Sequence, residues 1–305
     1  MQTPSYARIS WPCPNPGDDS DDALEFIAND AEDALGERFG GLTWETGFGL
    51  CFYLIEPVTP EDVTTIHGLA SLGTMRPTSA SAWQVESTGT SASWIEKWRH
   101  AFQPIRAGRF HILTPWMLGP TQPTMAPHEL LIVVDPQMAF GTGQHETTRL
   151  CLRALGERQA QLAGARVADI GAGSAILAMA ALKLGASSPI LCTEIDGDCV
   201  GNVHDNLAHN HLPDTCLDYR VTNRVPQEWL GSCNLVMCNM LSERFRPLLP
   251  SLKALLHGSG PSRLLLSGYL SREIDEVEGW CNELGLVLHE RLEEADWRAS
   301  LWGLA

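Results

Sequence analysis

The chain has 305 residues, 44% of them hydrophobic and 19% charged, which is long enough for two domains and apolar enough for a large core. Ten Trp and this apolar content exclude intrinsic disorder, and no run approaches the roughly 18 apolar residues of a membrane span. The net charge of −16, from 21 Lys and Arg against 37 Asp and Glu, disfavours DNA as a direct partner and favours basic ones. The first residues lack the basic and apolar regions of a secretory signal, and nine dispersed Cys contain no C-x-x-C pair. Reduced thiols and a cytoplasmic protein are expected.

Residues 1–88 predict a small α+β domain. Residues 6–11 read as a strand. A helix opens at Ser20, keeps Leu24, Ile27, Ala28, Ala31, Ala34, Leu35 and Phe39 on one face, and stops at Gly40. Strands at 42–45 and 50–55, a helix from Pro60 to Gly73 and a strand near 83–86 complete a β-α-β-β-α-β order, the ferredoxin-like motif. Nothing there offers a nucleophile, a phosphate loop or a metal cluster, so a substrate-recognition role is expected. Trp94, Ile95, Trp98 and Phe102 then recur at helical spacing, predicting a linker helix within residues 89–108.

From residue 109 to 305 short apolar strands (166–170, 190–195, 217–222, 234–238, 263–267) alternate with helices (147–162, 175–184, 197–210, 242–256, 272–284). This pattern predicts a doubly wound, mostly parallel α/β sheet covered on both faces. Residues 286–293 and 297–304 predict a terminal β-hairpin, giving seven strands in a Rossmann-like sheet. The hairpin sets it apart from the all-parallel nicotinamide-binding domain.

Four motifs lie at strand ends. In V-A-D-I-G-A-G-S-A, residues 167–175, a strand enters a turn where Gly171 lets a ligand reach the backbone, ahead of helix-start amides. The dinucleotide pattern G-x-G-x-x-G fails at Ile176. Glu194 follows Gly171 by 23 residues, at a strand end, where a carboxylate can accept both hydroxyls of a ribose. The glycine-containing run F-G-T-G-Q-H-E-T-T, residues 140–148, bends ahead of a helix that Thr147 or Thr148 can cap. Asn239 ends the buried strand V-M-C-N, at the carboxyl edge where parallel sheets bind ligands. His204, His209 and His211 lack zinc-ligand spacing, and no metal site is expected.

Together with A-L-K-L-G-A at 181–186, C-N-M-L at 238–241 and W-I-E-K-W…F-Q-P-I at 94–105, these motifs resemble the ribosomal protein methyltransferase PrmA family. The resemblance implies a methyltransferase domain that uses S-adenosylmethionine and modifies amino groups, on Lys side chains and the N-terminus, of large-subunit ribosomal protein eleven. It implies cofactor contacts from Thr148, Gly171, Glu194 and Asn239, with Phe140 and residues 141–143 flanking the methyl group. Two departures stand out: Gly173-Ser174-Ala175 where the family's turn usually ends G-S-G, and Glu194 where it has Asp.

A Lys nucleophile must lose a proton before attack, since its ordinary pKa is about 10.4. His145 is a candidate base or a residue that holds the loop, so no catalytic residue is assigned. The rival readings are a lysine methyltransferase of another protein and a binding protein that has kept the fold without turnover.

Overall fold

The computed structural model describes residues 5–11, 31, 34–36, 39–45, 49–55, 57–72, 83–90, 103–119, 124–135, 143–258 and 260–305. The expected helix at 91–102, the loop residues 136–142 and most of the helix opening at Ser20 lie outside them. The chain divides into two compact units, residues 1–102 and 103–305.

The first unit contains β1 (Ser5–Trp11), β2 (Phe39–Glu45), β3 (Gly49–Ile55), α1 (Pro60–Leu72) and β4 (Gln84–Thr90). Its antiparallel sheet runs β2-β3-β1-β4, with β1 between β3 and β4 as the split β-α-β-β-α-β motif requires. Ile9, Phe52, Leu54, Ile66 and Trp83 form its core. One expectation is corrected here. Phe39 was expected on the helix but starts β2, paired with Leu54, and its ring packs 6.5 Å from that of Phe52.

The second unit begins with a small sheet of β5 (Ile105–Ala107), β6 (Phe110–Leu113) and β7 (Leu130–Val133); the apolar run at 130–134 suits a strand, as β7 is, while β5 and β6 were not expected. Then follow α2 (Glu146–Gly156), α3 (Gln159–Leu162), β8 (Val167–Ile170), α4 (Ile176–Lys183), β9 (Ile190–Glu194), α5 (Cys199–His209) and β10 (Leu217–Val221). After these come β11 (Leu235–Asn239), α6 (Ser242–Phe245), α7 (Leu249–Leu255), β12 (Arg263–Leu270), α8 (Ile274–Glu283), β13 (Leu286–Glu294) and β14 (Trp297–Leu304). The large sheet has seven strands in the order β10-β9-β8-β11-β12-β14-β13. β8 to β12 are mutually parallel, and the β13–β14 hairpin joins antiparallel beside β12.

Alternation along each strand feeds two cores. Val167 and Met237 pack on one face, and Ala168, Val236 and Cys238 pack on the other. This is why the central strands read as unbroken apolar runs. Two expected helices are broken. The 147–162 helix ends at Gly156 and restarts at Gln159, while Pro247 and Pro250 divide 242–256 into α6, a 3-10 turn and α7. The eight described cysteines are all free and buried. No described helix is long and apolar enough to cross a membrane.

Candidate active site at the carboxyl edge of the sheet

β8 leads into the glycine turn. Gly171 has a φ of 78°, a left-handed conformation that disfavours other residues, and the flexible Met240 side chain lies over it, its sulfur 2.6 Å from where a Cβ would be. The Gly171 and Ala172 amides donate to the Thr193 carbonyl at 2.8 and 3.0 Å, which ties the turn to the end of β9. Helix α4 then starts without a side-chain cap of its own, because its N-cap residue is Ala175. Asp169 does that work from inside the fold. Its carboxylate, 1% exposed, accepts the Ala178 amide at 3.1 Å. Burial pushes its pKa up to about 7, the Ala178 hydrogen bond opposes that rise, and the charge of Glu194 adds to it.

Ala175 itself is left-handed, at φ 61° and ψ 23°, a conformation that costs a non-glycine residue about 1–2 kcal/mol. Its side chain is fully buried in the core cluster, which sets about 0.8 kcal/mol of methyl burial against that strain. The left-handed geometry, not helix propensity, sets the effect of replacing this residue. Ala175→Gly is therefore expected to change stability by no more than about 1 kcal/mol and to leave S-adenosylmethionine affinity within roughly twofold. Calorimetry with tenfold tighter binding would instead mean that the methyl group crowds the cofactor.

Glu194 ends β9 beside the turn. One carboxylate oxygen accepts the Gly173 amide at 2.9 Å, and the other accepts the Ile195 and Asp196 amides at 2.7 and 3.2 Å. Three of its roughly four acceptor positions thus hold backbone. The expected ribose acceptor is also a prop for the glycine turn. Beyond it, Ile195 and Val221 are apolar yet 69% and 50% exposed at the same edge, a feature the sequence pattern did not single out.

Asn239 ends β11, in register with Ser267 of β12. Its amide nitrogen lies 3.4 Å from the hydroxyl of the fully buried Thr148, so these two expected positions meet. The Asn239 side-chain oxygen is buried and has no hydrogen-bond partner. The following residue, Met240, covers Gly171 and so links this pair to the turn. Its backbone is crossed closely by Gly268, where a Cβ would fall 2.1 Å from the Met240 carbonyl oxygen. Only glycine fits there, and the strand expected at 263–267 stops one residue short of it, whereas β12 runs on to Leu270.

His145 sits at the start of α2, where it holds the backbone. Its Nδ1 contacts the Thr147 hydroxyl at 2.8 Å and accepts the Thr147 amide at 3.3 Å as the N-cap of α2. Its ring stands edge-on to Trp297, with centroids 4.7 Å apart. Arg149 locks the same helix start through Glu294 at 2.6 Å, Glu146 at 2.7 Å and the Gln144 carbonyl. Neither contact with the terminal hairpin was visible in sequence. Phe140 and residues 141 and 142 fall outside the described residues. Gly143 packs beside Ile112 and Ile176.

A glycine turn, an acid at the next strand end and a polar side chain at the fourth, on a seven-stranded sheet closed by an antiparallel hairpin, define a Rossmann-like α/β methyltransferase. The sequence pattern of the ribosomal protein L11 methyltransferase (PrmA) family matches residues 61–302. The chain belongs to that family. It is 36% identical over 223 residues to the ribosomal protein L11 methyltransferase of Pelobacter propionicus, covering 71% of this chain and 68% of the relative. It is 32% identical over 222 residues to that of Desulfitobacterium hafniense, covering 70% and 66%. With that of Geobacter metallireducens the identity is 38% over 211 residues, covering 68% and 65%. The matched parts thus span about two thirds of these relatives' own lengths. The crystal structure of a ribosomal protein L11 methylase from Lactobacillus delbrueckii subsp. bulgaricus superposes with a TM-score of 0.55 at 28% identity, covering 66% of this chain and 98% of that one.

Proposed function

We propose that this chain transfers methyl groups from S-adenosylmethionine to amino groups of ribosomal protein L11. The observation that carries the reading is the buried, unpartnered oxygen of Asn239 beside Thr148, at the edge that also holds Gly171 and Glu194. An orphaned acceptor in such a place calls for an N–H donor from a bound molecule, which an ammonium or amine provides.

The residues present fit the cofactor. Gly171 opens the backbone to close approach, and Glu194 keeps one acceptor position for a ribose hydroxyl while it braces Gly173. Ile195 and Val221 offer exposed apolar surface for the flat face of a base. S-adenosylmethionine supplies a methyl group already activated by its sulfonium. What the chain must add is alignment of the incoming amine and exclusion of water. Asn239 orients the amine through its free oxygen. A buried setting lowers the pKa of a Lys amine and so favours the neutral nucleophile.

Glu194→Ala is expected to weaken cofactor binding by about 1.5–3 kcal/mol, since it removes a charged acceptor. Because three backbone amides lose their partner too, the variant should also melt lower than the parent. Calorimetry that finds unchanged affinity in the folded variant would remove Glu194 from the site.

The two units are read as having separate jobs. Residues 1–102 dock the target and residues 103–305 hold the cofactor. Residues 1–108 carry 6 basic and 15 acidic side chains, a field suited to a basic protein and one that salt should screen. The experiment is to incubate the full chain with S-adenosylmethionine and purified L11, then measure the intact mass of L11. Steps of one methyl group support the reading, and an unmodified L11 alongside a cofactor-bound protein would point to a different protein substrate.

A further inference from the structure

Helix α5 and its C-cap carry Asn202, Asn206 and Asn210 at successive intervals of four residues, so all three lie on one face. That face is the buried one: they are 3%, 0% and 7% exposed. Three buried amides in a row are costly unless each finds a partner, and each does. Asn210 accepts the Val133 amide at 3.0 Å and donates to the Val133 carbonyl at 2.6 Å, which fastens the end of β7 to the helix. Asn202 donates to the Asp135 carbonyl at 3.0 Å. Asn206 accepts the Asp135 amide at 2.8 Å and donates to the Ser174 carbonyl at 3.2 Å and to the Asn202 side-chain oxygen at 3.0 Å.

Only Asn206 therefore reaches from this ladder into the glycine turn. Ser174 stands between Gly173, which Glu194 braces, and Ala175, which is strained. Packing alone does not hold such a turn, because an apolar contact has no direction. A hydrogen bond to one named carbonyl does. We infer that Asn206 is a positioning residue for methyl transfer, setting the glycine turn and the Asp135 backbone at one fixed spacing. The inference rests on the reading that this turn holds S-adenosylmethionine. Asn206 itself is shielded from any ligand, so it acts through Ser174 and Asp135.

The test uses the full chain, with S-adenosylhomocysteine as the calorimetric probe and initial rates with S-adenosylmethionine. Asn206→Ala should weaken binding of the probe about tenfold and raise KM for the donor more than it lowers kcat. Asn206→Ser, milder in volume yet too short to span to Ser174, should do the same and serves if the Ala variant does not fold. Asn210→Ala, which frees Val133 but no atom of the turn, should lower the melting temperature and leave the probe's affinity within twofold. If both Asn206 variants melt lower but bind the probe like the parent, Asn206 is structural only and the inference fails. A parent that does not bind the probe would overturn the cofactor reading beneath it, and the inference with it.

Discussion

Asn239→Ala should abolish most of the methyl transfer while leaving the fold nearly as stable as before. The buried side-chain oxygen of Asn239 has no partner, and leaving a buried acceptor unsatisfied costs about 1–3 kcal/mol. A residue kept at such a cost is retained for what it binds, and stability and activity then move apart when it is removed. The variant loses a long 3.4 Å hydrogen bond to Thr148 and gains relief from the orphaned oxygen, so its melting temperature should shift by only a few degrees. Its kcat/KM for L11 should fall about a hundredfold or more, the usual worth of one preorganised hydrogen-bonding group aimed at the reacting atoms. Rates within threefold of the parent would remove Asn239 from the site. A variant that no longer folds would make the residue a structural one.

The second large effect concerns Asp169 and pH. Its carboxyl is fully buried, and its pKa moves from an ordinary 3.8 to about 7. Folding thus favours the protonated form. The contribution is fully present below about pH 4 and is lost as the pH rises towards 7, with a ceiling on the order of 4 kcal/mol. Asp169→Asn keeps an oxygen to accept the Ala178 amide but has no charge to bury. The variant's melting temperature, measured relative to the parent's, should therefore climb by several degrees between pH 5 and pH 8. A constant difference across that range would mean that Asp169 does not titrate as burial dictates.

Where the sequence was legible, the reason was local. Leu264, Leu265 and Leu266 are buried on both faces of the sheet, so β12 reads as a continuous apolar run. Gly171, Glu194 and Asn239 sit at strand ends, where spacing alone orders them along one edge. Illegible features depend on contacts between distant residues or on competing local signals. The apolar series Phe245, Leu249, Leu252 and Leu255 hid the break that Pro247 and Pro250 impose on that helix. Glu194 bracing Gly173 spans 21 residues and depends on how the carboxylate turns. Asn206 meets Asp135 across 71 residues, and Arg149 meets Glu294 across 145. No periodicity within one segment encodes such pairs. The left-handed Ala175 was hidden for another reason, since alanine is the best helix former and argues for a regular helix start.

The central claim is that the carboxyl edge around Gly171 and Asn239 holds the methyl donor. A crystal structure of the full chain with S-adenosylhomocysteine tests it most directly. The ligand is expected against the Gly171 backbone, with a ribose hydroxyl at Glu194 and the Met240 side chain moved off the turn. Ligand bound elsewhere on the chain, with Met240 still over Gly171, would contradict it.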